Sequence, residues 1–277
     1  MKKLIIFCSS WMYNIPTVSG WKVFCNPQEK DPNFSYSTKF GGGYVDAINR
    51  IQPDFVLAIN VGCSEHLFDQ MKKPKGYGTK YITWSTDSYR HTRRATTSDL
   101  HLTSIPDSSM KSADNFVPLF FDYKGSIKSI SKRKHEFGIH CRVYPQSNHF
   151  RQREIKNIKS ILGDRFFINQ KEMHPYEYIK EIKSYKYGIN VGVYKDGLPN
   201  FRSFEYGACG VMPISEYSKT LEDMFENNII LYHNVGDIPF MIHDFDPIKL
   251  SEYYNTKHSL HARLKYIFHT YFDLEFK

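Results

Sequence analysis

The sequence predicts an α/β protein built on doubly wound parallel sheets, and three observations carry that expectation. Short apolar strands alternate with helical stretches along the chain. The run YGINVGV at 187–193 is the β-branched run of a buried parallel strand. Residues 198–210, LPNFRSFEYGACG, read as a strand-to-helix junction with a start signal and a stop signal. At 277 residues, the chain is near the size limit of one core, so two domains of ordinary size are expected.

Taken in order, strand 4–8 leads into a long loop rich in Pro, Asn and Ser. Three glycines at 41–43 precede an amphipathic helix at 44–51, and Pro53-Asp54 turns into strand 55–59. A helix-like stretch runs through Met71, strand 80–84 follows, and 100–104 and 115–119 are short strands. The basic, Ser-rich segment 124–134 is the linker candidate. Beyond it come strand 136–139, loop 144–148, helix 151–162, strand 166–169 and helix 175–185. After the turn at 195–197, Pro199 and Asn200 give a helix start, because Asn accepts from free amides of the first turn. Gly210 ends that helix, strand 211–214 follows, then a helix to Phe225, strand 228–232 and a closing helix over 257–270.

Composition narrows the class. With 41% hydrophobic and 24% charged residues the chain is globular. Its five cysteines include no C-x-x-C spacing, which suggests neither a disulfide framework nor a zinc cluster, and free thiols in a reducing cytoplasm are expected. The apolar run at 4–8 stops at Ser9, too short for a secretion signal, and no run is long enough to cross a membrane. The formal charge of +8 is uneven: residues 128–165 carry ten Lys/Arg against three acids, and 172–252 carry 7 against 13. Such asymmetry points to a basic surface facing a polyanion such as nucleic acid, although Lys-rich helix faces are commonly just solvated.

Arg202 and Glu205 sit one turn apart at the start of the helix after 200. By themselves they read either as an i, i+3 ion pair on a solvated face, or as a guanidinium and a carboxylate offered to a ligand. The stretch 198–210, with its continuation ISEYSKTLEDMF at 214–225 and NIILY at 228–232, resembles the donor-site signature of GT-B glycosyltransferases. It is most similar to the CgeB-like spore-protein group and to the bacteriophage glucosyl- and arabinosyltransferases of hydroxymethylcytosine DNA. The resemblance implies two Rossmann-like domains with parallel sheets facing an interdomain cleft. Residues 1–124 would form the acceptor-side domain, 125–256 the nucleotide-sugar domain, and 257–277 a helix crossing back to the first.

The same resemblance implies roles for single residues. Arg202 would take the donor diphosphate and Glu205 the ribose hydroxyls, with Asn200 at the helix start. In FRQREI, 150–155, Arg153 matches the phosphate-contacting arginine of the phage enzymes, with Arg151 or Arg142 as alternatives. Met173 and His174 match the nucleobase position. In WSTDSYRH, 84–91, Asp87 follows a strand end and corresponds to the general base, while as a sequence it is also an ordinary turn former and His91 is an alternative base. Arg90, Arg93 and Arg94 would face acceptor DNA. The implied protein is a cytoplasmic monomer that moves a sugar from a UDP-sugar to a hydroxyl, most closely 5-hydroxymethylcytosine in double-stranded phage DNA, by inversion, with retention as the alternative. It would need no cofactor or divalent metal and no membrane. An envelope, spore or small-molecule acceptor, and a non-catalytic nucleotide- or DNA-binding protein, are the alternatives.

Overall fold

The computed structural model describes residues 1–8, 18–25, 42–59, 78–85, 98–104, 117, 118, 121, 123, 125–141, 149–171, 173–192 and 200–277. The chain divides into two compact units, one of Met1–Pro118 with Arg263–Lys277 and one of Leu119–Ala262.

In the first unit β1 (Lys2–Cys8), β2 (Trp21–Cys25), β3 (Phe55–Ile59), β4 (Lys80–Ser85) and β5 (Leu100–Thr103) form one sheet in the order β2-β1-β3-β4-β5. Every described pairing in it is parallel, with Leu4 opposite Phe55 and Phe55 opposite Lys80. Helix α1 (Gly42–Ile51) lays Ala47 and Ile48 on Ile5, Phe7, Val56 and Ala58. Strand β2 corrects the sequence reading, which placed 21–25 in a loop. Trp21 explains it: its ring packs 4.5 Å from Phe268 and 5.0 Å from Phe276, and its indole N–H donates to the Glu275 carbonyl at 3.0 Å. A strand whose apolar partners lie some 250 residues downstream gives little local signal. Residues 117 and 118, expected within a short strand, lie outside any strand.

The second unit repeats the plan. Its strands are β6 (His135–His140), β7 (Phe166–Asn169), β8 (Tyr185–Asn190), β9 (Met212–Glu216) and β10 (Ile230–Tyr232), and all its described pairings are parallel in the order β10-β9-β8-β6-β7. Between them lie α2 (His149–Leu162), α3 (Pro175–Ile182), α4 (Phe201–Ala208) and α5 (Lys219–Phe225). Then come α6 (Ile238–Met241), α7 (Pro247–Lys257) and α8 (Leu260–Phe272), the last of which belongs to the first unit from Arg263 onward. The helix expected over 175–185 stops at Ile182, where the Ser184 amide turns back to the Glu181 carbonyl and β8 begins two residues early. The sequence reading did not anticipate α6 and α7.

Two glycines of the 198–210 stretch have steric reasons. A Cβ on Gly207 would lie 2.3 Å from the Tyr254 ring, so glycine lets α7 press against α4. Gly210 has φ +69° and donates to the Gly207 carbonyl at 2.9 Å while Val211 donates to Tyr206, which ends α4 and turns the chain into β9.

Candidate functional site

In the second sheet β7 and β8, consecutive in sequence, flank β6 on opposite sides. The strand order therefore reverses between β6 and β8, and in open parallel sheets the crevice at the carboxyl ends of such a pair receives the ligand. Strand β6 ends at His140 and β8 at Asn190.

A buried polar network fixes what stands there. The Asn190 side-chain amide donates to Ser203 at 2.9 Å and to Ser215 at 3.3 Å, and its carbonyl accepts from Asn200 at 2.6 Å. Asn200 in turn accepts the Arg202 backbone N–H at 2.9 Å, which caps α4. The cap read from the sequence is therefore itself held by the last residue of β8, and the helix start points its free amides at the switch point.

Two arginines converge on this end of the sheet. Arg202 donates through Nε to the His140 carbonyl at 2.8 Å, and its terminal nitrogens make no hydrogen bond to a described residue. Arg151, from the first turn of α2, is 7% exposed, and its buried Nε has no hydrogen-bond partner. Burial, and then the like charge of Arg202, push its pKa down to about 10, opposed by Cys141 and Tyr206. A guanidinium placed in this way, with a donor unpaired and a second cation beside it, has the chemistry to receive an anion.

Glu205 lies one turn further along α4 and is 8% exposed, so the pair with Arg202 is not on a solvated face. Its Oε2 accepts from the Tyr178 hydroxyl of α3, and Oε1 has no hydrogen-bond partner among the described residues. Burial raises the Glu205 pKa, against the pull of the Tyr178 hydrogen bond and of Arg202. Burial and the Glu205 charge raise that of Tyr178 well above its ordinary value, so the phenol stays protonated and donates. His140 stands edge-on to Tyr178 at 4.9 Å, and its Nδ1 meets Glu181 at 3.0 Å. Tyr185 and Asn169 donate to the same carboxylate. Because a carboxylate only accepts, Nδ1 of His140 is the donor in this contact.

The structure thus brings Asn200, Arg202 and Glu205 together. Arg153, expected to join them, is exposed, with its guanidinium 5.9 Å from the ring of Phe150, and it is the alternative Arg151 that turns inward. Met173 is partly buried with its sulfur 3.5 Å from the Asn169 amide, and His174 is exposed at the start of α3 without a side-chain cap bond. Asp87, His91, Arg90, Arg93, Arg94 and Arg142 lie outside the described residues. Sequence reasoning missed Asn190 and Tyr178; a polar residue ending the run at 187–193 was the available signal for the first, and the second had none.

The basic stretch 128–165 also changes character. Arg133 is buried against the carbonyls of Lys128, Tyr185 and Gly210, Arg151 is buried at the switch point, and Arg165 pairs with Glu136 at 2.7 Å. Lys159 donates to the carbonyls of Gly163 and Phe166. Lys128, Lys132, Lys134, Arg153 and Lys156 remain exposed. Among the described residues no group of three His, Cys, Asp or Glu could hold a metal ion, and no helix is long and apolar enough to cross a membrane.

Residues 126–245 match the family described as glycosyl transferase-like. No curated protein matches the chain. Among solved structures it is similar to an α-glucosyltransferase in complex with UDP and a 13-mer DNA containing an HMU base, at 10% identity and TM-score 0.52, covering 98% of both chains. A spinosyn rhamnosyltransferase matches at 11% identity and TM-score 0.40, covering 78% of this chain and 72% of that one. The chain therefore has the GT-B fold, and its residues 126–245 resemble a glycosyl transferase-like domain.

Proposed function

We propose that the protein is a glycosyltransferase that binds a UDP-sugar at the β6–β8 switch point and passes the sugar to a hydroxyl of 5-hydroxymethylcytosine in double-stranded DNA. The observation that carries the donor half is the pair of Arg151 and Arg202 at one end of the sheet, with a buried Nε unpaired. A nucleoside diphosphate meets that geometry: its oxygens accept from both guanidiniums and from the first amides of α4, and its ribose hydroxyls can donate to Glu205. The charge that builds on the leaving diphosphate would be neutralised by these cations, so donor binding would need no divalent ion.

Asp87, directly after β4, would take the proton of the acceptor hydroxyl in an inverting transfer. The acceptor rests on the arginines at 90, 93 and 94, on the exposed part of the basic stretch, and on the DNA-bound relative of like fold. One observation favours a second reading, an acceptor other than DNA: Arg133, Arg151 and Arg165 of that stretch are engaged inside the fold or in a pair, so less positive surface is left than the sequence counts.

The deciding experiment incubates the protein with a panel of UDP-sugars and with hydroxymethylcytosine, hydroxymethyluracil or ordinary DNA, in EDTA, and reads the nucleosides by mass. A sugar adduct on a hydroxymethylated base is expected. UDP release without an adduct transfers the activity to another acceptor, and no UDP binding by calorimetry at millimolar concentration overturns the proposal. Asp87→Asn should lower turnover by about 10²–10⁴ and leave UDP affinity unchanged; full activity in that variant makes Asp87 a turn residue.

A further inference from the structure

We infer that Tyr178 is a positioning residue for the donor ribose: by holding Oε2 of Glu205 it leaves Oε1 alone to face the ribose hydroxyls. The inference rests on the donor reading above and goes beyond it by naming the group that sets the selectivity for a ribo- over a deoxynucleotide. Tyr178 is buried in α3, 27 residues before Glu205, and its hydroxyl donates to that carboxylate. Its ring is held in turn by the edge of His140, the residue whose carbonyl also receives Arg202 Nε. One strand end therefore orients both the phosphate-side cation and, through Tyr178, the ribose-side anion.

The argument is one of satisfied and unsatisfied oxygens. A buried carboxylate needs several donors to stay ionised, and Glu205 finds one hydroxyl from Tyr178 and the nearby charge of Arg202. Rotation about its last bond would exchange the two oxygens, and the bond to Tyr178 stops it. The remaining lone pairs on Oε1 then have a fixed direction and accept one hydroxyl or two from a ribose edge. Without the phenol the carboxylate would be free to turn, or to take up the proton that burial favours, and either change removes the same acceptor from the site. Tyr178 touches no substrate in this account and acts through Glu205.

The test measures the affinity of UDP against 2′,3′-dideoxy-UDP by calorimetry in wild type, Tyr178→Phe, Tyr178→Met and Glu205→Gln. Reading the ratio of the two ligands within one protein cancels any general loosening of the fold, so whichever Tyr178 variant stays folded by near-UV circular dichroism serves. Wild type should prefer UDP by about tenfold or more, and the Tyr178 variant should lose most of that preference while binding the dideoxy ligand within about twofold of wild type. In a Glu205→Gln background the Tyr178 change should no longer alter the ratio. A wild-type preference that survives intact in Tyr178→Phe overturns the inference. A ratio near one in wild type overturns the ribose contact itself, and the inference with it, while leaving the diphosphate site standing.

Discussion

Arg133 and Arg151 are two buried arginines of the same unit, each 7% exposed and each with a pKa pushed down to about 10 chiefly by burial. Neither forms an ion pair with a carboxylate among the described residues. By burial and charge they are alike, yet they differ in what their nitrogens meet. Arg133, beside the start of β6, reaches the Tyr185 and Gly210 carbonyls at 2.7 Å each and the Lys128 carbonyl at 3.0 Å, so it clamps the segment before β6 to β8 and to the turn after α4. Arg151, at the other end of the same sheet, keeps a buried donor without a partner and has Arg202 for a neighbour. Burial of a cation therefore does not by itself mark a binding site; what sets Arg151 apart from Arg133 is an unsatisfied donor beside a like charge.

The comparison breaks first on stability. Arg133→Met strips the donors from two buried carbonyls and a partly buried one and should destabilise the second unit by about 3–5 kcal/mol, read as a fall in the urea midpoint. Arg151→Met removes a desolvated charge and orphans no carbonyl, so the same measurement should show no loss, or a gain of about 1 kcal/mol. Equal losses in the two variants would mean that Arg151 is a structural clamp as well. The ligand side runs the other way: Arg151→Met should weaken UDP by about 10–100-fold in calorimetry, whereas Arg133→Met, assayed where it remains folded, should bind within about threefold of wild type. A variant of Arg151 that binds UDP normally removes the observation on which the donor site stands.

The two arginines also show where reading the sequence stopped. Both counted as members of one basic patch, because charge is visible in a sequence and the direction of a side chain is not. Local chemistry was legible: Asn200 at the cap, Gly210 at the stop, and Arg202 with Glu205 one turn apart all follow from spacing within a few residues. What was not legible depends on elements that meet across the fold. Tyr178 reaches Glu205 from another helix, Asn190 braces the cap from a strand, and β2 owes its place to Trp21 packing on the far end of the chain. Choosing Arg153 over Arg151 was a choice of helix face at a helix start, where two residues' difference turns a side chain from the sheet to the solvent.

The subtlest prediction concerns Glu205 and pH. Its folded pKa is raised above 4.5, first by burial, so the native state holds that proton more tightly than the unfolded chain. The stability this contributes is complete below about 4.5 and is lost as pH rises through the higher folded value. Glu205→Gln has no such proton to lose, so the difference in unfolding free energy between the two proteins should move in favour of Gln as pH rises through that window. Donor binding should move the opposite way, because the ionised carboxylate is the better acceptor for hydroxyls. The preference of wild type for UDP over 2′,3′-dideoxy-UDP should therefore grow over the same window; phosphate titration is common to both ligands and cancels. Opposed slopes over one window, with a ligand preference that is flat with pH in Glu205→Gln, would tie the two effects to one proton. A preference that stays flat while the stability difference changes would separate them, and would make Glu205 a buried acid of the fold with no part in holding the ribose.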